Sequence, residues 1–410
     1  MPDKKSVKYV LIGGGAAAAN ASVGMREVDA DGSAIIVCKE KWFPYDRPPL
    51  SKGFLTKDLA PEDVESKDPS FYKEKNIEVI RGNGVKSVDL AARKATLEDG
   101  TELQYEKLLM ATGATPNVPK MPGSDLKGVH LLRTVDDSMA IKKELVSGKN
   151  AVMVGAGYIG MEVGSGCIDS GMKVTIIDPS AHPWSKFASD KSGGFLQRYY
   201  EKHGATMMMG DQVESIHGDG AVTHVRTKSG KDVPADLVVV GLGVSLNLDL
   251  PKSAGLEMYD KGGVMADEYM RSSDPNVYVA GDIAAFQDVV LGKRWHAEHY
   301  LNAQWTGKQA GRNLAGANEK YEKVPYFFSD MLDFGMVLRG DAQGGKSAKV
   351  FGDMDAVEFV ELYQREDGTL AMGMGFSRDS KKQDAYSDKL EELVKQRAKV
   401  GDIRADVFGL

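Results

Sequence analysis

The 410-residue chain has only two cysteines, Cys38 and Cys167. Two thiols cannot build a disulfide framework or a four-thiolate zinc or iron–sulfur site. It also lacks any run of about 18 uncharged apolar residues, so no membrane-spanning helix is expected. Positive charge is short, with 52 Lys and Arg against 59 Asp and Glu. A net charge of −7 and a pI near 5.6 argue against nucleic acid or an anionic membrane as the main partner. Only seven histidines are present, and just His296 and His299 lie close together without a cysteine nearby, so no metal site is expected. Lys4 and Lys5 directly precede a strand-like run, leaving no room for a cleavable leader. These absences predict a soluble cytoplasmic protein of two or three folded units.

Glycine is in excess: 46 residues, about 11% against roughly 7% in average chains. Part of the excess is concentrated twice over. Tyr9-Val-Leu-Ile-Gly13-Gly14-Gly15-Ala-Ala-Ala18 reads as strand, turn and small-residue helix, followed by Ala34-Ile-Ile-Val37 and then Glu40. Starting 142 residues after Gly13, the grammar recurs: Ala151-Val-Met-Val154, Gly155-Ala-Gly157-Tyr-Ile159-Gly160, a helix, Val174-Thr-Ile-Ile177 and Asp178.

Such a turn has a physical purpose. The first Gly makes the tight bend, the second lets backbone approach a pyrophosphate, and the third small residue lets helix pack on strand. Phosphate then meets unpaired N–H groups at a helix N-terminus. Here the triads are Gly13, Gly15, Ala18 and Gly155, Gly157, Gly160. Glu40 lies 22 residues after Ala18 and Asp178 lies 18 after Gly160, near the offset of an acid that binds a ribose hydroxyl. Two dinucleotide sites in one chain point to electron transfer between two cofactors, such as a flavin and a nicotinamide. Asp178 favours a free ribose 2′-hydroxyl, hence NADH over NADPH.

Matched pieces extend the repeat. Leu108-Leu-Met-Ala-Thr112-Gly113-Ala-Thr-Pro116-Asn117 and Val238-Val-Val-Gly-Leu-Gly243-Val-Ser-Leu-Asn247 have the same shape. Alternating residues with Asp99-Gly100, and again with Ser229-Gly230, predict a small β excursion in each half. After Lys320 the pattern changes to short strands, Val357–Tyr363 and Leu370–Phe376, and a helix over 383–399. The expected class is α/β: two Rossmann-like dinucleotide-binding domains, for FAD and NAD, plus a C-terminal α+β domain. Expected boundaries are 1–116 with 244–320, 117–243, and 321–410.

The segment Phe43-Pro-Tyr45-Asp46-Arg47-Pro-Pro-Leu-Ser51-Lys52 resembles the flavin-contacting loop of a flavoprotein branch. Its members are the ferredoxin reductases, monodehydroascorbate reductases and apoptosis-inducing-factor-like proteins. Val277-Tyr-Val-Ala-Gly281-Asp282 resembles that superfamily's second flavin motif, and Leu132-Arg133-Thr-Val-Asp-Asp137 its arginine segment. The resemblance covers the chain to about Phe376. It implies that Gly13, Gly15, Glu40, Arg47, Lys52, Arg133 and Asp282 serve FAD, with Ala18, Thr112, Gly113 and Gly281 as further cofactor-binding candidates. It likewise implies that Gly157, Gly160, Glu162 and Asp178 bind or face NADH, with Gly155, Ile159 and Gly243 as further cofactor-binding candidates.

Lys52 and Glu162 match a pair that the family holds beside the flavin, where an ammonium favours the reduced, anionic ring. Glu298-His299 matches a pair near the nicotinamide in some members, although His299 also suits a satisfied interior position. With Lys52 and Glu162 it completes the candidate catalytic set. No cysteine lies between Lys41 and Lys52, so the thiol chemistry of the superfamily's disulfide reductases is not expected.

The implied activity is an FAD-dependent NADH reductase of one-electron acceptors, a small acidic [2Fe–2S] ferredoxin first among them. The aromatic segment Pro325-Tyr326-Phe327-Phe328 is expected against the flavin, with Phe328 in a place where ferredoxin reductases carry tryptophan. Lys293, Arg294, Lys308, Arg312 and Arg339 are candidates for a basic docking patch. One alternative is a monodehydroascorbate or quinone reductase, although Gln304 and Arg339 stand where the former would have its Arg and Tyr. Another is an NADH-gated interaction protein of the apoptosis-inducing-factor type, with the C-terminal helix as its contact element.

Overall fold

A computed structural model describes residues 4–410. The described chain forms two compact units: residues 4–47, 60–115 and 245–323, and residues 48–59, 116–244 and 324–410.

The first unit is built on a parallel sheet in the spatial order Ile77–Arg81, Ala34–Cys38, Lys4–Ile12, Glu102–Met110, Val277–Val279. The antiparallel strands Lys94–Leu97 and Val85–Asp89 extend it beside the first half of Glu102–Met110. The central strands are apolar on both faces, as a parallel sheet covered on both sides requires. Val10, Leu11, Ile36, Leu108 and Leu109 are all shut from solvent.

The helix Ala16–Val28 crosses over this sheet and packs against the helix Tyr300–Leu314. The packing is backbone on backbone. A Cβ on Gly307 would lie 2.2 Å from the Ala17 carbonyl oxygen, and one on Gly311 would lie 2.0 Å from that of Ala21. The run of alanines in the first helix is thus a contact surface for another helix as much as a helix former.

The second unit repeats the plan. Its parallel sheet runs Thr206–Met209, Lys173–Asp178, Asn150–Val154, Leu237–Val240, Val129–His130. A three-stranded excursion, Val213–Asp219, Ala221–Thr227 and Asp232–Pro234, follows. A five-stranded antiparallel sheet then forms from Tyr326–Met331, Phe334–Gly340, Leu370–Ser377, Glu358–Gln364 and Lys346–Asp353. The helix Ser380–Lys395 lies across it, with Tyr386 against Gly375 and Leu390 against Gly373. This helix begins and ends earlier than the expected 383–399. Asp379 caps its first turn, and Arg397 adopts a left-handed φ of 50° just beyond its end. It covers a sheet rather than projecting as a free contact element.

The candidate dinucleotide cradles

In the first unit the strand Lys4–Ile12 ends at Gly13, whose φ of 145° suits glycine alone; a Cβ there would stand 2.4 Å from the Ala111 carbonyl oxygen. Gly15 is the N-cap of the helix Ala16–Val28, and nothing lies within 4 Å of where its Cβ would be. Open space at a helix N-terminus with unpaired N–H groups is the form of a phosphate cradle. Ala18 is fully buried in the first helical turn.

The acid and the loop after it converge. Glu40 accepts hydrogen bonds from the Tyr45 hydroxyl (2.5 Å) and from Arg47 (3.0 Å), and Arg47 also donates to the Tyr45 hydroxyl. Burial works against the Arg47 charge, but Tyr45, Glu40 and Asp282 outweigh it and hold the group above its usual range. Gly281 takes a φ of 72°, packs against Ala17 and donates its N–H to Thr306. Thr112 donates to the Asn247 carbonyl, and the Gly113 carbonyl accepts the Asn247 N–H. His299 is the N-cap of the helix Tyr300–Leu314. Burial lowers its pKa to about 4, only partly offset by Asp282, so the imidazole is neutral at pH 7. Glu298 beside it is exposed and lies 3.7 Å from His296.

The second unit holds the other turn. Gly155 has a φ of 108° and a Cβ there would strike the Gly241 carbonyl; one on Gly160 would lie 1.9 Å from the Gly155 oxygen. Gly157 caps the helix Tyr158–Asp169 and, like Gly15, faces open space. Ile159 packs near Gly241, while Gly243, with a φ of 82°, accepts the Asn117 N–H at its carbonyl. Asp178 at the strand end accepts the backbone N–H of Ala156 and of Ser180, each at 2.8 Å.

Also in the second unit, Lys52 Nζ lies 2.7 Å from Glu162 Oε1, with Lys52 17% and Glu162 5% exposed. Ser51 and Ser329 donate to the same carboxylate at 2.5 and 2.6 Å. Three donors on a buried carboxylate satisfy the group that desolvation would otherwise penalise. Phe328 presents its ring 5.7 Å from the Lys52 ammonium. Asp330 is raised by burial and by the neighbouring Glu162, against the pull of Lys52. Arg133 precedes the Thr134 cap of the helix Val135–Lys142, and its own N–H goes to Asp137. Ser51 and Ser329 escaped the sequence reading, and their one signal was adjacency to Lys52 and Phe328.

Neither thiol is available: Cys38 and Cys167 are buried, and burial pushes both up to about 12. Among the described residues no group of three or more His, Cys, Asp or Glu side chains could hold a metal ion. No helix among them is long and apolar enough to cross a membrane.

Of the candidate docking cations, Arg294, Lys308, Arg312 and Arg339 have partners within the protein. Arg339 is 8% exposed, pairs with Glu391 at 3.0 Å and bonds Ser387. In the first unit, Lys308 and Arg312 pair with Glu27, Arg312 also with Glu319, and Arg294 donates to the backbone carbonyls of Ala266 and Ala285. Arg339 is thereby enclosed, whereas Lys308 keeps 47% of its side chain exposed.

Residues 7–307 match the family described as pyridine nucleotide-disulphide oxidoreductase. The chain is 32% identical to the ferredoxin–NAD(+) reductase component of the anthranilate 1,2-dioxygenase system of Burkholderia cepacia, covering 90% of this chain and 91% of that protein. It is 32% identical to the rubredoxin–NAD(+) reductase of Pseudomonas putida, covering 81% and 85%. Its fold superposes on the reductase of a covalent putidaredoxin reductase–putidaredoxin complex with a TM-score of 0.90 at 25% identity, covering 98% and 96%. With two glycine cradles, two strand-end acids and a match running from the first cradle through the second, the chain belongs to the pyridine nucleotide-disulphide oxidoreductase family.

Proposed function

We propose that the protein is an FAD-dependent NADH reductase that delivers electrons singly to an iron–sulfur protein, a small [2Fe–2S] ferredoxin by preference. The observation that carries this is the pair of open helix N-termini at Gly15 and Gly157, each a cradle that a Cβ would fill. Bound FAD supplies the ability to take two electrons together and release them one at a time.

In this reading residues 1–116 and 244–320 hold FAD, 117–243 hold the nicotinamide dinucleotide, and 321–410 form the C-terminal domain. Gly13, Gly15 and the first-turn amides around Ala18 take the pyrophosphate, Glu40 a ribose hydroxyl, and Arg47, Thr112, Gly113, Arg133, Gly281 and Asp282 the remaining polar groups. Lys52, held by Glu162, supplies positive charge for a reduced ring, and Phe328 is an aromatic wall. Gly155, Gly157, Ile159, Gly160, Asp178 and Gly243 cradle NADH, and the Asp178 carboxylate repels the extra phosphate of NADPH. His299, neutral at pH 7, and Glu298 are the candidates to face the nicotinamide end. Relatives named for ferredoxin and rubredoxin support an iron–sulfur acceptor. Two free, buried cysteines suit a cytoplasmic location.

The test is anaerobic rapid mixing of the purified protein with NADH or NADPH while the flavin band is followed, then mixing of reduced protein with a [2Fe–2S] ferredoxin, a rubredoxin or a quinone. Bleaching at the turnover scale of about 10 s⁻¹ with NADH, followed by fast ferredoxin reduction, is expected. A preparation without flavin absorbance would sink the reading, and faster bleaching by NADPH would overturn the coenzyme preference.

A further inference from the structure

Asp178 is followed by a strap, residues 179–189, that leads to the helix Asp190–Lys202. The strap is pinned at three places. At its start, Asp178 accepts the Ser180 N–H. In its middle, the Trp184 N–H donates to the Ala156 carbonyl, within the second glycine turn itself. At its end, Ser189 caps the following helix, and its hydroxyl donates to Glu361 at 2.6 Å.

Glu361 stands on the strand Glu358–Gln364 of the antiparallel sheet and is completely buried. Its carboxylate also accepts the Ser347 hydroxyl at 2.5 Å and the Tyr363 hydroxyl at 3.1 Å. The Tyr363 oxygen in turn accepts the Ser189 N–H at 2.9 Å and lies 3.4 Å from the Ser192 hydroxyl. Burial and the neighbouring Glu361 push the Tyr363 phenol up to about 12, so it stays a neutral donor. Both carboxylate oxygens thus meet O–H donors beside the N-terminus of a 13-residue helix, where the helix dipole favours a carboxylate.

The strap between these pins is under strain. Trp184 is 3% exposed yet takes a left-handed φ of 60°, and its indole N–H is buried with no hydrogen-bond partner. A bulky residue in that region, and an orphan donor, each cost free energy that surrounding structure must impose. The strap's other aromatic, Phe187, packs on Tyr158, the first residue of the second cradle's helix.

We propose that Glu361 is a positioning residue for the second dinucleotide: through Ser189 it holds the strap, and with it Asp178 and the Gly155–Gly160 turn, in the binding-competent form. The antiparallel sheet therefore sets coenzyme affinity without touching coenzyme. This rests on the reading that the second turn binds NADH.

The test is calorimetric titration of NAD⁺ into flavin-loaded protein, with KM for NADH and the limiting flavin reduction rate measured beside it. Ser189→Ala should weaken NAD⁺ binding by about tenfold, the scale of one lost charge-assisted hydrogen bond, and raise KM while leaving the limiting rate unchanged. Ser189→Thr should restore binding. Ser189→Asp keeps a good helix cap but sets a second carboxylate against Glu361, so it should be as weak as Ser189→Ala. Ser347→Ala, on the strand Lys346–Asp353, removes a hydroxyl from the same carboxylate but leaves the Ser189 bond in place, so it should weaken binding less than Ser189→Ala. Wild-type affinity in Ser189→Ala or Ser189→Asp overturns the proposal, as does equal weakening in Ser347→Ala. Failure of the wild type to bind NAD⁺ removes the reading beneath it, a different and separately visible result.

Discussion

The two glycine turns share a plan and differ in what holds them. The first is buttressed by backbone, with Gly307 and Gly311 seating one helix directly on another, and its acid is gripped by side chains, Tyr45 and Arg47. The second also has close backbone contacts at Gly155 and Gly160, but its helix start is faced by side chains, the aromatic group of Tyr158, Trp184, Phe187 and Phe327, and its acid is gripped by backbone N–H groups. A backbone-on-backbone contact has no rotamers to change. An aromatic cluster with one strained member does. On the proposed reading, the first turn holds the resident ligand and the second the one that comes and goes.

The largest expected effect separates the two turns. Gly13→Val should yield protein without flavin, whereas Gly160→Val should keep flavin, measured by absorbance per chain, and lose NAD⁺ binding. Loss of flavin in both would erase the comparison. Next, Glu162→Ala leaves a mostly buried ammonium beside two serines. It should cost about 3 kcal/mol in urea unfolding, the scale of an unpaired buried charge. A loss below about 1 kcal/mol would mean that Lys52 reaches water freely.

His299 gives a pH test of the first unit. Its folded pKa is depressed to about 4 from an unfolded value near 6.5. The stability it contributes is therefore complete above pH 6.5 and is lost as pH falls toward 4. By pH 5 the loss is about 2 kcal/mol. Urea unfolding at pH 7 and 5 should show that loss in wild type and a smaller one in His299→Gln; identical losses would place the effect elsewhere. Asp178→Ala should narrow the ratio of NADH to NADPH reduction rates about tenfold, the scale of one hydrogen bond to a charged group. An unchanged ratio would remove Asp178 from coenzyme choice. The smallest effect concerns the thiols. Neither Cys38 nor Cys167 should react with a disulfide reagent in native protein at pH 8, and selective labelling of Cys167 would show the helix Tyr158–Asp169 opening more readily than the strand Ala34–Cys38.

The architecture was legible because it is written in local runs. A strand, a turn that only glycine can make and an alanine-rich helix are contiguous, so both cradles and their acids stand out in the chain. The helix after Ser377 was legible in kind but not in bounds, since its first turn is polar and Asp379, not an apolar stripe, starts it. The ion pairs of Lys308, Arg312 and Arg339 were invisible, because Glu27, Glu319 and Glu391 carry no periodic signal that names their partners. Ser329 and Glu361 were invisible for a related reason. A hydroxyl or carboxylate buried through contacts more than 160 residues away reads in sequence as an ordinary polar residue in a strand.

The interleaving of the two units has a consequence for synthesis. The first unit's sheet needs Val277–Val279 beside Glu102–Met110, and its helix pair needs residues 300–314 against 16–28. A ribosome therefore releases six of the seven strands of that sheet long before the pieces that cover and complete them. The second unit, which takes in 48–59 and 324–410, closes later still. With each domain assembled from distant segments, folding has to await most of the chain, and the exposed apolar strands of the nascent first half are natural clients for a chaperone.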